Sequence, residues 1–114
     1  MKRWAQAWSG QHVEDYLSFY AAEFLPPGGL SRAAWEASRR RRLAEPRSIE
    51  VTVDEPRIGF PEPGRAVVSF WQRYRSDHYS DRVRKTLTWI DEGGRWRILE
   101  ETVEPAGEGL PNPR

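Results

Sequence analysis

The 114-residue sequence contains no cysteine, which excludes disulfide bonds and thiolate-ligated metal sites. It also lacks an excess of either charge, because 18 Lys and Arg residues face 17 Asp and Glu residues for a net charge of +1. Such a balance gives no overall attraction to nucleic acid or to an anionic membrane. No stretch approaches the roughly 20 apolar residues of a membrane span, and the first residues lack the apolar run of a signal peptide. We therefore expect no nucleic-acid partner and no membrane insertion.

The length of the chain fits one domain with a sizeable core, to which six Trp, four Tyr and four Phe contribute. We expect this domain to cover residues 1–104. The last ten residues, 105–114, contain three prolines and two glycines and are expected to form a flexible tail.

The first half of the sequence has helical periodicity. Apolar and aromatic residues recur at spacings of three and four: Trp4, Trp8, Val13, Tyr16, Leu17, Tyr20 and Phe24. Ser9-Gly10 should interrupt this segment, and the prolines and glycines of 26–29 should end it. Ser31 is a good N-cap for a second helix over residues 32–44, which is rich in Ala, Glu and Arg and stops before Pro46.

From Ile49 the period changes to two, which predicts strands. Arg65 to Ile90 contains two alternating runs joined by residues 76–80, and Asp91–Gly94 predicts a hairpin turn before a fourth strand. The prolines at positions 56, 61 and 63 predict an edge strand or a loop between the first two strands. The order predicts an α+β, cone-shaped domain with N-terminal helices packed on a curved four-stranded antiparallel sheet. Shared parity predicts that five strand residues face the helices: Phe70, Leu87, Trp89, Trp96 and Ile98.

Several polar positions, as well as apolar ones, resemble those of a known superfamily. The stretches "AAWEASRRRRL", "VSFWQRYRSDHYSDRVRKTL" and "GGRWRILEE" are similar to nuclear transport factor two-like (SnoaL-like) domains, over roughly residues 4–103. The branch that these stretches resemble most is the C-terminal accessory domain of proteobacterial murein L,D-transpeptidase and L,D-carboxypeptidase cell-shape proteins. The resemblance implies an accessory domain, and it suggests the periplasm or cell envelope, with the cytoplasm as the alternative.

Lys85 is the polar residue that needs the most explanation. It lies between Val83 and Leu87 on the apolar parity, where an unpaired ammonium would be costly to desolvate. Glu100 on the next strand is its expected partner, or Glu101 if a bulge shifts the register by one residue. The pair is either a structural ion pair that closes the sheet or a site where the ammonium also meets an anionic group of a ligand.

The predicted pocket combines this pair with an aromatic wall from the helices and polar groups from the neighbouring strand. Its ligand-binding residues are Tyr16, Tyr20, Trp35, Arg39, Gln72, Tyr74, Lys85 and Glu100. The expected ligand is a small molecule or a peptide with an anionic group; given the resemblance, a peptidoglycan stem peptide would fit. The alternative for the aromatic residues and for Gln72 is an ordinary core role.

Two functions follow from this pocket. The first is a non-catalytic ligand-binding or interaction domain accessory to murein remodelling, with no catalytic residue, no metal and no cofactor. The alternative is a small ketosteroid-isomerase-like or polyketide-cyclase-like enzyme that uses a pocket carboxylate as its base. A neighbouring Lys85 would make Glu100 a weaker base, which favours binding. Asp77, His78 and Asp81 fit a polar turn better than a metal site.

The other parity of the strands carries a second candidate surface. Trp71, Ile90, Leu99 and Val103 are more apolar than a solvated face requires, and arginines surround them. We expect this outer sheet face to form a homodimer or to pack against a neighbouring domain, the alternative being scattered surface residues on a monomer.

Overall fold

The computed structural model describes residues 2–77 and 79–105. Its elements are α1 (Lys2–Ser9), α2 (Val13–Ser18), a 3-10 turn (Pro27–Gly29), α3 (Arg32–Ala44), β1 (Ile49–Glu62), β2 (Arg65–Ser76), β3 (Ser80–Glu92) and β4 (Arg95–Pro105). The strands form one antiparallel sheet in the order β1-β2-β3-β4. This confirms the predicted α+β architecture. The predicted tail from residue 106 onward, and His78, lie outside the described residues.

The helices form where the sequence predicts them. The first segment breaks after Ser9, and Gln11 adopts a positive φ of 57° between α1 and α2. Ser31 caps α3 as predicted, because its side chain accepts a hydrogen bond from the amide of Ala34 at 3.1 Å. Within the described part of the chain, none of the helices combines the length and apolar character needed to cross a bilayer.

β1 continues through its prolines as an edge strand. Its pairing with β2 is interrupted between Asp54 and Arg57, where Pro56 follows a residue of positive φ, Glu55 at 51°. The hydroxyl of Ser9 on α1 accepts a hydrogen bond from the amide of Val51 at 2.8 Å. This contact ties α1 to the edge strand and protects part of the edge from pairing with another chain.

One extra residue in β4 determines which of its later side chains lie on the inner face of the sheet. Thr88 pairs with Glu100 but Trp89 pairs with Ile98, so Leu99 is the extra residue. Beyond this bulge the parity is reversed, because successive strand residues alternate between faces. The structure therefore places Glu101 on the inner face and Glu100 in solvent on the outer face.

Two predicted placements on β4 differ from the structure, one because of the bulge and one because of its position at the end of the sheet. Val103 pairs with Lys85 and so belongs to the inner face, not to the outer one. Trp96 has the predicted parity but is 44% exposed, because it lies next to the turn that joins β3 and β4, at the end of the sheet.

The core lies between the helices and the inner face of the sheet. Its largest fully buried side chains include Trp4, Trp8, Trp35, Tyr16, Phe70, Leu43, Leu87 and Ile98. Aromatic rings meet edge to face across this layer, as Trp4 and Phe70 do with ring centroids 6.0 Å apart.

Phe70 is fully buried, whereas Phe60 on β1 is 70% exposed, so the chain offers its own control for a truncation. We predict that Phe70→Ala lowers the free energy of unfolding by about 3–5 kcal/mol, through lost burial and the cavity left behind. Phe60→Ala should change it by no more than about 0.5 kcal/mol. Chemical denaturation measures both, and a Phe70→Ala loss as small as that of the control would remove Phe70 from the core.

Candidate functional site

Lys85 is buried at the centre of the inner face, with 2% of its surface exposed. Its ammonium Nζ lies 2.5 Å from Oε2 of Glu101, and this contact confirms the bulge-shifted partner. The same nitrogen lies 4.9 Å from the ring centroid of Trp8 and 5.4 Å from that of Trp4. Ring faces attract a cation that has been removed from water, so the two tryptophans and the carboxylate together replace the hydration of the ammonium.

Glu101 has two further partners besides Lys85. The hydroxyl of Tyr20 donates to its Oε1 at 3.0 Å, and Nη2 of Arg39 on α3 lies 4.0 Å from the same oxygen. The Tyr20 hydroxyl in turn accepts from the indole N–H of Trp4 at 3.2 Å and lies 3.1 Å from the hydroxyl of Tyr16. Lys85 of β3, Arg39 of α3 and Tyr20 thus contact this carboxylate directly, and α1 and α2 are linked to it through the Tyr20 hydroxyl.

The charges of this group do not cancel. We call Lys85, Arg39 and Glu101 the buried charge cluster; it holds two cations and one anion within ion-pair distance. Arg39 lies farther from the Glu101 carboxylate than Lys85 does, at 4.0 Å instead of 2.5 Å. It is also the most exposed residue of the cluster, with 8% of its surface accessible. The site therefore carries an excess positive charge on the side of Arg39.

Electrostatics determine what the carboxylate can do. Burial acts to raise the pKa of Glu101, but attraction to Lys85 and Arg39, with hydrogen bonds from Lys85 and Tyr20, outweighs it and lowers the pKa from 4.5 to about 2. Burial and the neighbouring Glu101 carboxylate raise the pKa of the Tyr20 phenol well above its usual value. At neutral pH Glu101 is thus a weak base and Tyr20 a weak acid, which suits binding better than proton transfer.

Gln72 is a second buried polar group of the inner face, with no exposed surface. It follows Phe70 by two residues on β2, and Phe70 is the cross-strand partner of Lys85. Within residues 2–77 and 79–105, its amide oxygen and nitrogen both have no hydrogen-bond partner, and the indole N–H groups of Trp35 and Trp89 also have none. Each such group costs free energy unless a water or a ligand group satisfies it.

The structure brings most of the predicted ligand-binding residues together. Tyr16, Tyr20, Arg39 and Lys85 meet around Glu101, and Trp35 lies beside Arg39 with its ring centroid 5.6 Å from the guanidinium carbon. Tyr74 packs next to the cluster against Trp8, with ring centroids 5.5 Å apart. Glu100 does not take part, because it is exposed on the outer face.

Sequence reasoning placed Trp4 and Trp8 in a helix but missed that they cover the ammonium of Lys85. The available signal was their spacing of one helical turn, which puts both rings on the face that meets the sheet. No group of three His, Asp or Glu that could hold a metal ion occurs among the residues that the structure describes.

Two surface grooves lie beside α1. One, of about 340 Å³, separates α1 from β1 and is lined by residues such as Ala5, Ser9 and Val53. The other, of about 490 Å³, runs past His12 and Asp15 towards Arg95. Neither groove is lined by a residue of the buried charge cluster.

Comparison with known families and structures gives a consistent assignment. Residues 1–102 match the family model described as the Cds6 C-terminal NTF2-like domain. Bd1075 of Bdellovibrio bacteriovorus is 28% identical, with a TM-score of 0.84 over 94% of this chain and 38% of that one. The helical cell shape determining protein Pgp2 of Campylobacter jejuni is 20% identical, with a TM-score of 0.78 over 87% of this chain and 36% of that one.

The chain thus spans little more than a third of the length of these two proteins. An NTF2-like protein of unknown function from Pseudomonas putida is 14% identical, with a TM-score of 0.76 over 95% of this chain and 83% of that one. At 20% and 14% identity, Pgp2 and the Pseudomonas putida protein support a shared fold only. No sequence among curated proteins matches the chain significantly.

The pKa of Glu101 makes a prediction about stability against pH. Because its folded-state pKa of about 2 lies below its ordinary value of 4.5, the cluster contributes stability that is fully present above pH 4.5 and is lost as the pH falls towards 2. A displacement of that size corresponds to about 3 kcal/mol. The difference in unfolding free energy between the parent and Glu101→Gln should shrink over this window, as measured by urea denaturation at a series of pH values.

Glu100→Gln is the matched control for that experiment, because it removes an exposed carboxylate at the neighbouring position. It should keep the pH profile of the parent and nearly its stability. A parent-minus-Glu101→Gln difference that stays constant from pH 4.5 to 2 would contradict the ionised, paired state of Glu101.

Proposed function

Because the chain belongs to the Cds6 C-terminal NTF2-like domain family, we propose that it is a non-catalytic accessory domain that binds the anionic group of a small or peptide ligand. The observation that carries the proposal is the excess positive charge of the buried charge cluster, in which two cations share one carboxylate. A cluster built only for stability would be expected to balance its charges, because an uncompensated buried charge is costly. A carboxylate from a ligand would supply the missing negative charge.

Arg39 is the group that would receive this anion. Its guanidinium has five N–H donors in a planar fork, which matches a carboxylate, while its present contact with Glu101 is long at 4.0 Å. Lys85 is held more tightly by Glu101 and by the two indole rings, so its role is to fix Glu101 and to add to the local potential. This revises the expectation that Lys85 itself is the principal anion contact.

Gln72 would complement the charged group with a neutral one. Its buried amide offers one acceptor oxygen and two donor hydrogens that no described residue uses. A peptide bond presents one N–H donor and one C=O acceptor, which can pair with the oxygen and the N–H groups of this amide. A peptide that ends in a carboxylate therefore suits the combination of Arg39 and Gln72 better than a simple inorganic anion does.

The biological setting is part of the same proposal. Pgp2, which shares the fold, is described as determining helical cell shape, and bacterial cell shape depends on the peptidoglycan wall. We therefore propose a peptidoglycan stem peptide as the ligand and murein remodelling as the process. Since the chain corresponds to about a third of Bd1075 and of Pgp2, the proposed role is that of a recognition domain within a longer protein.

Catalysis of the isomerase or cyclase type is the weaker candidate. Such an enzyme needs a carboxylate or His whose pKa is near the working pH. The pKa of Glu101 is displaced in the opposite direction, to about 2, by the same cations that would bind the ligand. The geometry that favours anion binding thus makes Glu101 a poor base.

Binding of a soluble muropeptide tetrapeptide, measured by isothermal titration calorimetry, tests the proposal. Arg39→Gln should weaken binding roughly 30-fold or more, the equivalent of about 2 kcal/mol, because the ligand carboxylate would lose its charged partner. Arg40→Gln is the matched control: Arg40 is the next residue of α3, exposed, and paired with Glu14 instead. Circular dichroism should show that both variants remain folded.

The chemistry of the ligand supplies a second control. The same tetrapeptide with its carboxylates amidated should bind the unmodified protein only weakly. Its affinity should not exceed that of the acid form of the peptide for Arg39→Gln. Equal affinity of the parent for the acid and amide forms, or equal losses in Arg39→Gln and Arg40→Gln, would contradict anion recognition at this cluster.

A further inference from the structure

The outer face of the sheet, opposite the helices, contains a concentration of arginines around one tryptophan. The guanidinium carbon of Arg82 lies 4.1 Å from the ring centroid of Trp71, and that of Arg84 lies 5.5 Å away. Arg73 is the direct cross-strand partner of Arg82, and Trp71 is that of Arg84. We call Trp71, Arg73, Arg82 and Arg84 the arginine–tryptophan patch.

The pairing of Arg73 with Arg82 within this patch is unfavourable for the isolated domain. Like charges directly opposite each other on neighbouring strands are destabilising, and Arg73 and Arg82 are both exposed at such a pair. In the part of the chain that the structure describes, neither has a carboxylate within ion-pair distance. Elsewhere on the same face, arginines form ion pairs. Nε of Arg97 lies 3.2 Å from Oε1 of Glu92, and Nε of Arg75 lies 3.9 Å from Oε1 of Glu50.

We propose that the arginine–tryptophan patch is a docking site for an acidic protein segment, one that presents carboxylates to Arg73 and Arg82. Bidentate Arg–carboxylate pairs would replace the repulsion between the two guanidinium groups by attraction. Trp and Arg are the residues most enriched at the energetic centres of protein interfaces, and here they already stack on each other. The domain net charge of +1 means that recognition is local rather than a general attraction for anions.

The borders of the patch distinguish this occupant from other polyanions. Asp54 pairs with Trp71 on one side, and Glu104 pairs with Arg84 on the other. A continuous phosphate backbone crossing the strands would meet these carboxylates, whereas a short segment can place its acidic residues between them. Arg82 also covers one face of the Trp71 ring, which reduces the ring surface available for stacking a nucleobase.

Charge also distinguishes this occupant from a second copy of the chain. A two-fold interface brings the same patch of both subunits together. Centred on this patch, such an interface would place Arg73 and Arg82 of one copy against those of the other. The homodimer predicted from the apolar residues of this face is therefore less favourable here than an acidic partner.

Fluorescence anisotropy with a labelled decapeptide of alternating Glu and Ser, at low ionic strength, tests the proposal on the full chain. The parent should bind this peptide and should not bind the same peptide with Gln in place of Glu. Arg73→Gln combined with Arg82→Gln should weaken binding roughly tenfold or more. Arg3→Gln combined with Arg41→Gln removes the same charge from exposed helical positions and should leave the affinity nearly unchanged.

A stability measurement separates docking from an incidental surface effect. Arg73→Gln removes the like charge opposite Arg82 and keeps the contact of Arg82 with Trp71, so it should raise the melting temperature while weakening peptide binding. A lowered melting temperature would overturn the claim that the Arg73–Arg82 pairing is unfavourable in the free domain.

Three other results would overturn the proposal. One is equal binding of the acidic peptide by the parent and by the Arg73/Arg82 variant. Another is tighter binding of a ten-nucleotide oligo-dT than of the acidic peptide, which would make the occupant a nucleic acid. The third is a dimer in analytical ultracentrifugation that Arg82→Glu dissociates, which would make the occupant a second copy. None of these outcomes depends on ligand binding at the buried charge cluster.

Discussion

The contact between Lys85 and Glu101 is the constraint on which the interior of this domain depends. An ammonium at the centre of a sheet face is tolerated only if a carboxylate reaches it, and the extra residue in β4 turns Glu101 inward to do so. The helices supply the remaining contacts of this pair. α1 covers the ammonium with two indole rings, α2 and its C-terminal extension supply the Tyr16 and Tyr20 hydroxyls, and α3 brings Arg39 to the second carboxylate oxygen. Removing Glu101 would leave two buried cations without their carboxylate, a kind of change that typically costs about 3–5 kcal/mol.

The two faces of the sheet manage positive charge differently, and this difference organises the proposed roles. On the inner face the excess charge is sheltered and is held near Arg39 by aromatic and polar neighbours, an arrangement suited to a small anionic group. On the outer face, Arg73 and Arg82 are exposed and have no carboxylate within ion-pair distance among the described residues. This arrangement is suited to contact with a macromolecular surface. In the proposed roles, the inner face would meet a ligand and the outer face a protein partner.

The sequence predicts much of this fold because most of its signals are local. Helical spacing predicts α1 and α2, the Ser31 cap predicts the start of α3, and alternation puts Phe70, Gln72 and Lys85 on one face. What the sequence leaves open depends on single residues. One bulge reverses the parity of β4, so Glu100 and Val103 exchange faces relative to an uninterrupted strand. Parity also says which face a side chain occupies but not how deeply it is buried, which is why Trp96 is exposed. The opposition of Arg73 and Arg82 requires the exact register of β2 and β3, which alternation alone does not fix.

The interior depends on Glu101 staying ionised as the shared anion of the cluster instead of acting as a base. A carbon-detected NMR titration of the Glu101 side-chain carboxyl measures this ionisation directly. We expect the Glu101 resonance to show no protonation from neutral pH down to about pH 3, because Lys85 and Arg39 lower its pKa to about 2. An apparent pKa at or above 4.5 for Glu101 in the folded domain would show that the cations do not hold it ionised, and would restore the carboxylate as a candidate general base.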